Sequence, residues 1–204
     1  QAASSLKAAI GTIAIGSQAF ANVTADTLSI AIGVGAGENV RFVESYRTSA
    51  TDGHFTTNFP LGQRPNPISS VVNIGANAGK FNHMETTINL GLNAGFLGRV
   101  KITPEDASSG DTTGGNNINI GSAAGFRRIG ATNSIALGSN ASYSGGWSTN
   151  TIAIGEQALY SASSSNFNIA VGSFAGQLLH GPQDGTIERG GGVYVGHEAG
   201  RFLT

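Results

Sequence analysis

The chain contains no cysteine, which excludes a disulfide framework, thiol catalysis and any cysteine-based zinc site. Charge is almost as scarce: Asp, Glu, Lys and Arg make up 11% of the 204 residues, less than half their share in an ordinary soluble domain. With a net charge of −1 and a pI near 6.5, and no basic run longer than Arg127-Arg128, nothing draws the chain toward nucleic acid. Aromatic residues reach only 7%, with a single tryptophan, so any core is thin and built from small side chains packed close to backbone. No run of eighteen apolar residues and no charged-then-apolar leader occurs, so no helical membrane insertion is expected. The opening Gln1-Ala2-Ala3-Ser4 reads as a point inside a longer protein, and the 204 residues are expected to form one repeat domain within it.

What the chain has in abundance is glycine, 31 residues of it, and the glycines are periodic. Ile13-Ala14-Ile15-Gly16, Ile30-Ala31-Ile32-Gly33, Val72-Asn73-Ile74-Gly75, Ile88-Asn89-Leu90-Gly91 and Ile118-Asn119-Ile120-Gly121 are copies of one pattern. Ile135-Ala136-Leu137-Gly138, Ile152-Ala153-Ile154-Gly155, Ile169-Ala170-Val171-Gly172 and Val193-Tyr194-Val195-Gly196 complete a set of nine. In every copy the third residue after the glycine is alanine: Ala19, Ala36, Ala78, Ala94, Ala124, Ala141, Ala158, Ala175 and Ala199. The steps in numbering between successive marker glycines are 17, 42, 16, 30, 17, 17, 17 and 24. The commonest step defines the unit, a 17-residue repeat, and the long steps carry insertions at about 38–71, 97–115 and 178–192. The 42-residue interval has room for one decayed copy.

An apolar-small-apolar triplet has the period of a strand, and Ile and Val favour one. A unit of this length accommodates two short strands and two tight turns, and such units stack their strands in parallel as a solenoid. The two aliphatics of each triplet are expected to face the interior. The small middle residues would then lie on the second face, where a neighbouring chain comes close. An aromatic-poor core of this size is undersupplied, and oligomerisation is expected to complete it.

The stretches Ser29–Ala36 (SIAIGVGA), Asn133–Ala141 (NSIALGSNA) and Asn150–Ala158 (NTIAIGEQA) resemble head repeats of YadA-type trimeric autotransporter adhesins. The resemblance implies an all-β, left-handed parallel β-roll of about nine units, three chains intertwined as a homotrimer, and adhesion to host surfaces or matrix. Similar repeats occur in bacteriophage tail fibres and spikes. Two departures from the adhesin pattern, the frequent Ala-Gly ending and the irregular insertions, point toward a viral fibre. The expectation is an extracellular protein, on a virion tail or a bacterial surface, whose partner is a host-surface glycan, protein or matrix receptor.

Recognition concentrates on loops held by a rigid scaffold. The first insertion carries Arg41, Phe42, Tyr46, Arg47, His54, Phe55 and Phe59, the densest aromatic and basic cluster in the chain and the residue types that dominate binding hot spots. The same rings could instead fold the loop back onto the scaffold. Trp147 lies beside Tyr143 in a Gly-Ser turn, where an exposed ring could stack on a sugar. The charges of the second insertion read as a solvated face, and the third insertion, with Gly190-Gly191-Gly192, reads as a flexible turn.

No catalytic residue, metal or cofactor is expected. A left-handed β-helix acyltransferase would carry an aliphatic at every sixth residue, but counting on from Ile154 gives Tyr160 and Asn166. His54, His83, His180 and His197 have no triad-like partners. Gly33-Val34-Gly35-Ala36-Gly37 lacks phosphate-loop spacing, and HExxH is absent. The remaining alternatives are a structural spacer in a fibre and a glycan-cleaving β-solenoid, whose acidic pair the sequence does not reveal.

Overall fold

The computed structural model describes residues 2, 9–21, 26–27, 29–38, 68–69, 71–82, 86–97, 115–128, 131–144, 149–163, 166–180 and 191–203. Among them the chain is all-β, with no helix. The nine triplets form strands β2 (Ile13–Ile15), β4 (Ile30–Ile32), β6 (Val72–Ile74), β7 (Ile88–Leu90), β8 (Ile118–Ile120), β9 (Ile135–Leu137), β10 (Ile152–Ile154), β12 (Ile169–Val171) and β14 (Val193–Val195). They make one nine-stranded sheet whose order follows the chain, with every pairing parallel. Two three-stranded parallel sheets accompany it: β1 (Ala9–Ile10), β3 (Asp26–Thr27) and β5 (Ile68–Ser69), and β11 (Ser161–Ser163), β13 (Leu178–His180) and β15 (Phe202–Leu203). This architecture is compatible with the expected parallel β-solenoid.

Register survives every insertion. Ile30 pairs with Val72, Ile88 with Ile118 and Ile169 with Val193, so the units on either side of each long interval stay in register. The first long interval hides no further copy in the sheet, because β4 pairs directly with β6. Residues at the edges of the expected insertions also join neighbouring units. Glu38, Ile68–Ser69, Leu97, Gly115 and Leu178–His180 all bond to equivalent positions of adjacent units. Residues 39–67, 98–114 and 181–190 lie outside the described residues. At the edge of the first, the Lys80 ammonium sits 2.7 Å from the buried Glu38 carboxylate, tying the units on either side together.

Two separate constraints act on the marker glycines, both of them on the first eight and only the first on Gly196. Their φ values run from +123° to +134°, a region costly for any residue with a Cβ. A Cβ on any of the first eight would also lie 2.4–2.6 Å from the carbonyl oxygen of the next marker glycine. The turn closes with a bond from the alanine N–H to the glycine carbonyl, as in Ala158 to Gly155 at 3.4 Å. The alanines themselves are fully buried in the first eight units.

The alternation of the triplets is as expected, but its two faces are exchanged. The middle residues Ala31, Asn73, Asn89, Asn119, Ala136, Ala153 and Ala170 are buried inside the stack, and only those of the terminal strands, Ala14 and Tyr194, are half-buried. The flanking aliphatics are exposed or half-buried in every strand and buried in none. The cause is cross-section: the interior of a 17-residue unit is already occupied by its alanine column and turn, so an isoleucine does not fit where an alanine or asparagine does. The second face therefore carries large aliphatics, and the small residues belong to the core.

Volume inside each unit is shared between the middle residue and the fourth residue after the marker glycine. Where the middle residue is asparagine the fourth is glycine, and a Cβ at Gly79, Gly95 or Gly125 would lie 2.0–2.1 Å from the Oδ1 of Asn73, Asn89 or Asn119. Ala14 and Ala153 are instead followed by Phe20 and Leu159, both buried. These side chains also fill the space beside the next unit's glycine: Phe20 lies against Gly37, and Leu159 against Gly176. The result is two apolar clusters, one around Phe20 and Ala31 and one from Ala124 to Leu179, separated by the asparagines.

Candidate functional site

Four ladders run along the stack, each generated by one position of the unit repeating in register. The first is internal. Asn89 Nδ2 donates to Asn73 Oδ1 at 2.8 Å, and Asn119 Nδ2 donates to Asn89 Oδ1 at 2.8 Å. Asn89 also donates to Thr87 Oγ1 at 3.3 Å. The row ends at Arg128, which is 2% exposed and whose Nη1 donates to Asn119 Oδ1 at 3.4 Å. A polar core column of this kind is tolerable only because its members satisfy one another.

Burial pulls the Arg128 guanidinium from its ordinary range down to about 10. A base depressed on folding binds fewer protons in the folded chain than in the unfolded one between that value and its ordinary pKa, so its contribution to stability rises with pH across that window. The unfolding free energy of wild type minus that of Arg128→Gln is therefore expected to increase as pH is raised from about 10 toward 12. Paired denaturant titrations at each pH measure this difference, in which the Lys and Tyr titrations common to both proteins cancel; a flat difference refutes it.

The second ladder is aromatic and lies on the outside, at the fifth residue after the marker glycine. Phe96, Phe126, Tyr143 and Tyr160 stack nearly parallel, with centroids 5.1, 4.8 and 4.9 Å apart and interplanar angles of 5–12°. Phe81 caps the row edge-on at 5.7 Å, with Lys80 Nζ 5.5 Å from its centroid. The sequence suggests Tyr143 as a platform for a sugar, but both of its faces are covered, one by Phe126 and the other by Tyr160. The signal for this ladder lies outside the triplets, in the recurrence of Phe126, Tyr143 and Tyr160 at the period of the unit.

The third ladder is an exposed row of asparagines at the turn preceding the strands. Asn116 Nδ2 donates to Asn133 Oδ1 at 3.1 Å, and Asn133 Nδ2 to Asn150 Oδ1 at 3.3 Å. All three have left-handed backbones, the conformation that asparagine tolerates best among residues bearing a Cβ.

The fourth is the aliphatic face of the nine-stranded sheet. Its exposed members range from 36% for Ile120 and Ile135 to 68% for Val195, and Val34 and Leu92, just beyond the marker glycines, widen it. Eighteen side chains in this condition present an apolar patch on the order of 1,000 Å², above the few hundred that a soluble monomer ordinarily shows.

Of the other expected binding residues, Arg41, Phe42, Tyr46, Arg47, His54, Phe55, Phe59 and Trp147 lie outside the described residues. Among the described residues no group of three or more His, Cys, Asp or Glu is placed to hold a metal ion, and no helix is long and apolar enough to cross a membrane. Compared with protein-family models, with curated proteins and with solved structures, the chain matches none.

Proposed function

We propose that this chain is the β-roll of a non-enzymatic attachment fibre, in which three copies join along their aliphatic faces and the outward turns and insertions meet a receptor. The observation that carries the reading is the aliphatic face itself: register holds it continuous over nine strands, and none of its triplet aliphatics is buried among the described residues. Hydrophobic burial drives association, and a face three residues wide and nine strands long suits a partner that repeats with the same spacing, which a second copy does by construction. The number three comes from the resemblance of the SIAIGVGA and NTIAIGEQA stretches to YadA-type adhesin heads, as does a left-handed sense of winding. The short exposed turns on a rigid stack favour presentation of a surface over catalysis, and fit a place outside the cell, on a virion tail fibre or a bacterial surface. A host-surface glycan, protein or matrix component is the receptor class.

Sedimentation equilibrium tests the assembly. The expected mass is three times the 20.6 kDa of one chain, and a wild-type mass of one chain overturns the reading. Ile135→Asp with Leu137→Asp places two carboxylates on the outward face of β9 and none in the interior. The variant is expected to lose the trimer while keeping the far-ultraviolet circular dichroism of the β-stack; an undiminished trimer shows that association uses another surface.

A further inference from the structure

The exposed asparagine row does not simply end at Asn150. The equivalent position in the next unit is Phe167, and its backbone N–H donates to Thr149 C=O at 3.0 Å, holding it in line with Asn150. This turn is left-handed in each described unit, at Gly11, Thr86, Asn116, Asn133, Asn150, Phe167 and Gly191. Asparagine and glycine adopt that backbone at low cost, whereas a phenylalanine there, at φ +59°, is strained. Burial does not compensate: Phe167 is 57% exposed and, alone among the half-buried and exposed phenylalanines described, has no ring or cation partner among the described residues. On its far side stands Gly191, where an added Cβ would meet nothing within 4 Å among the described residues. On its near side Asn150 accepts from Asn133 and, among the described residues, keeps its own Nδ2 without a partner.

We propose that Phe167, with Asn150 and the asparagine row behind it, is a subsite for a neutral glycan. The aromatic ring is the platform for the apolar face of one pyranose. The Asn150 Nδ2 donates to a hydroxyl or acetamido oxygen of the same sugar. Successive amides follow at the interstrand spacing of about 4.8 Å, comparable with the length of one sugar residue, so a chain laid along the stack meets a polar group at each step. No residue of the row, and none of its neighbours Gly115, Thr132, Thr149 and Asn166, carries charge, which selects neutral over acidic sugars. The proposal deepens the attachment reading and rests on it for its biological role.

The test uses cellohexaose, maltohexaose and chitohexaose as three neutral probes, with saturation-transfer NMR and calorimetric titration of the whole chain. At least one is expected to bind with millimolar affinity. Phe167→Asn is expected to lower that affinity roughly tenfold while raising Tm, since it relieves the strained backbone and extends the asparagine row; Asn150→Ala weakens binding several-fold. No binding by any of the three, or wild-type binding by Phe167→Asn, overturns the proposal. If Phe167→Asn instead breaks the assembly in sedimentation, Phe167 is a subunit contact and the glycan subsite falls while the trimer stands. A wild-type monomer whose glycan binding depends on Phe167 leaves the subsite standing and removes the trimer.

Discussion

Gly155→Ala is expected to abolish the native stack around β10, with a loss of more than about 4 kcal/mol read as loss of cooperative thermal unfolding. Two independent penalties meet at this residue. Its φ of +128° lies where a Cβ costs about 1–3 kcal/mol. The new methyl would also sit 2.5 Å from the Gly172 carbonyl oxygen, and that oxygen cannot retreat without opening the parallel pairing of Ile152–Ile154 with Ile169–Val171. Gly196→Ala separates the two. Its φ is +125°, yet its Cβ would meet nothing closer than Ala199 Cβ at 4.0 Å, so only the conformational penalty applies and the variant stays folded. Equal destabilisation by both substitutions would show that close stacking of the glycine column contributes nothing.

Asn89→Asp is the second large effect, expected at about 3–5 kcal/mol near neutral pH. Asn89 both donates to Asn73 and accepts from Asn119; a carboxylate keeps the second role and loses the first, setting an unpaired anion against the Asn73 oxygen in a buried column. The pH dependence has a definite sign. Burial and the facing acceptor raise the folded-state pKa of the new carboxyl above its unfolded value of about 3.9. The folded chain then binds more protons between those two values, and the deficit relative to wild type shrinks as pH falls through the folded pKa, because the protonated acid can again donate to Asn73. Chemical unfolding of both proteins from pH 7 down to 4 measures it. A deficit that does not change with pH would mean that the asparagine row is held by shape alone.

Strand positions, the parallel order and the register are legible in the sequence because they follow from one strict period: Ile13, Ile30 and Val72 align on the repeat alone, and they pair. The inside and outside of the triplets are not legible. Alternation distinguishes two faces but does not say which one is enclosed, and ranking residues by hydrophobicity places isoleucine inward when the enclosed position of the triplet holds a smaller residue such as Ala31 or Asn89. The pairing of Asn73 with Gly79, Asn89 with Gly95 and Asn119 with Gly125 stands in the sequence as a correlation, and becomes a reason only when the two residues are seen to share one space. Phe167 is inconspicuous for a similar cause. In the sequence it is one phenylalanine of ten; it becomes anomalous beside Asn116, Asn133 and Asn150 once their common turn is known to be left-handed. The aromatic and basic cluster from Arg41 to Phe59 has no repeat to align it with, so periodic reasoning stops at its edge.

The constancy of register across unequal intervals has a mechanical side. The bonds joining one unit to the next point along the stack, while the covalent chain winds around it, so tension between the two ends is carried first by hydrogen bonds and packing and only then by the backbone. Each unit that peels away lengthens the molecule abruptly: the chain in a 17-residue interval can span about 60 Å at roughly 3.4 Å per residue, in place of the few ångströms it occupied along the stack. The 42-residue interval between Gly33 and Gly75 can release about 140 Å by the same measure. A tether whose successive units are joined by intervals of such different length yields under load in discrete steps of unequal size.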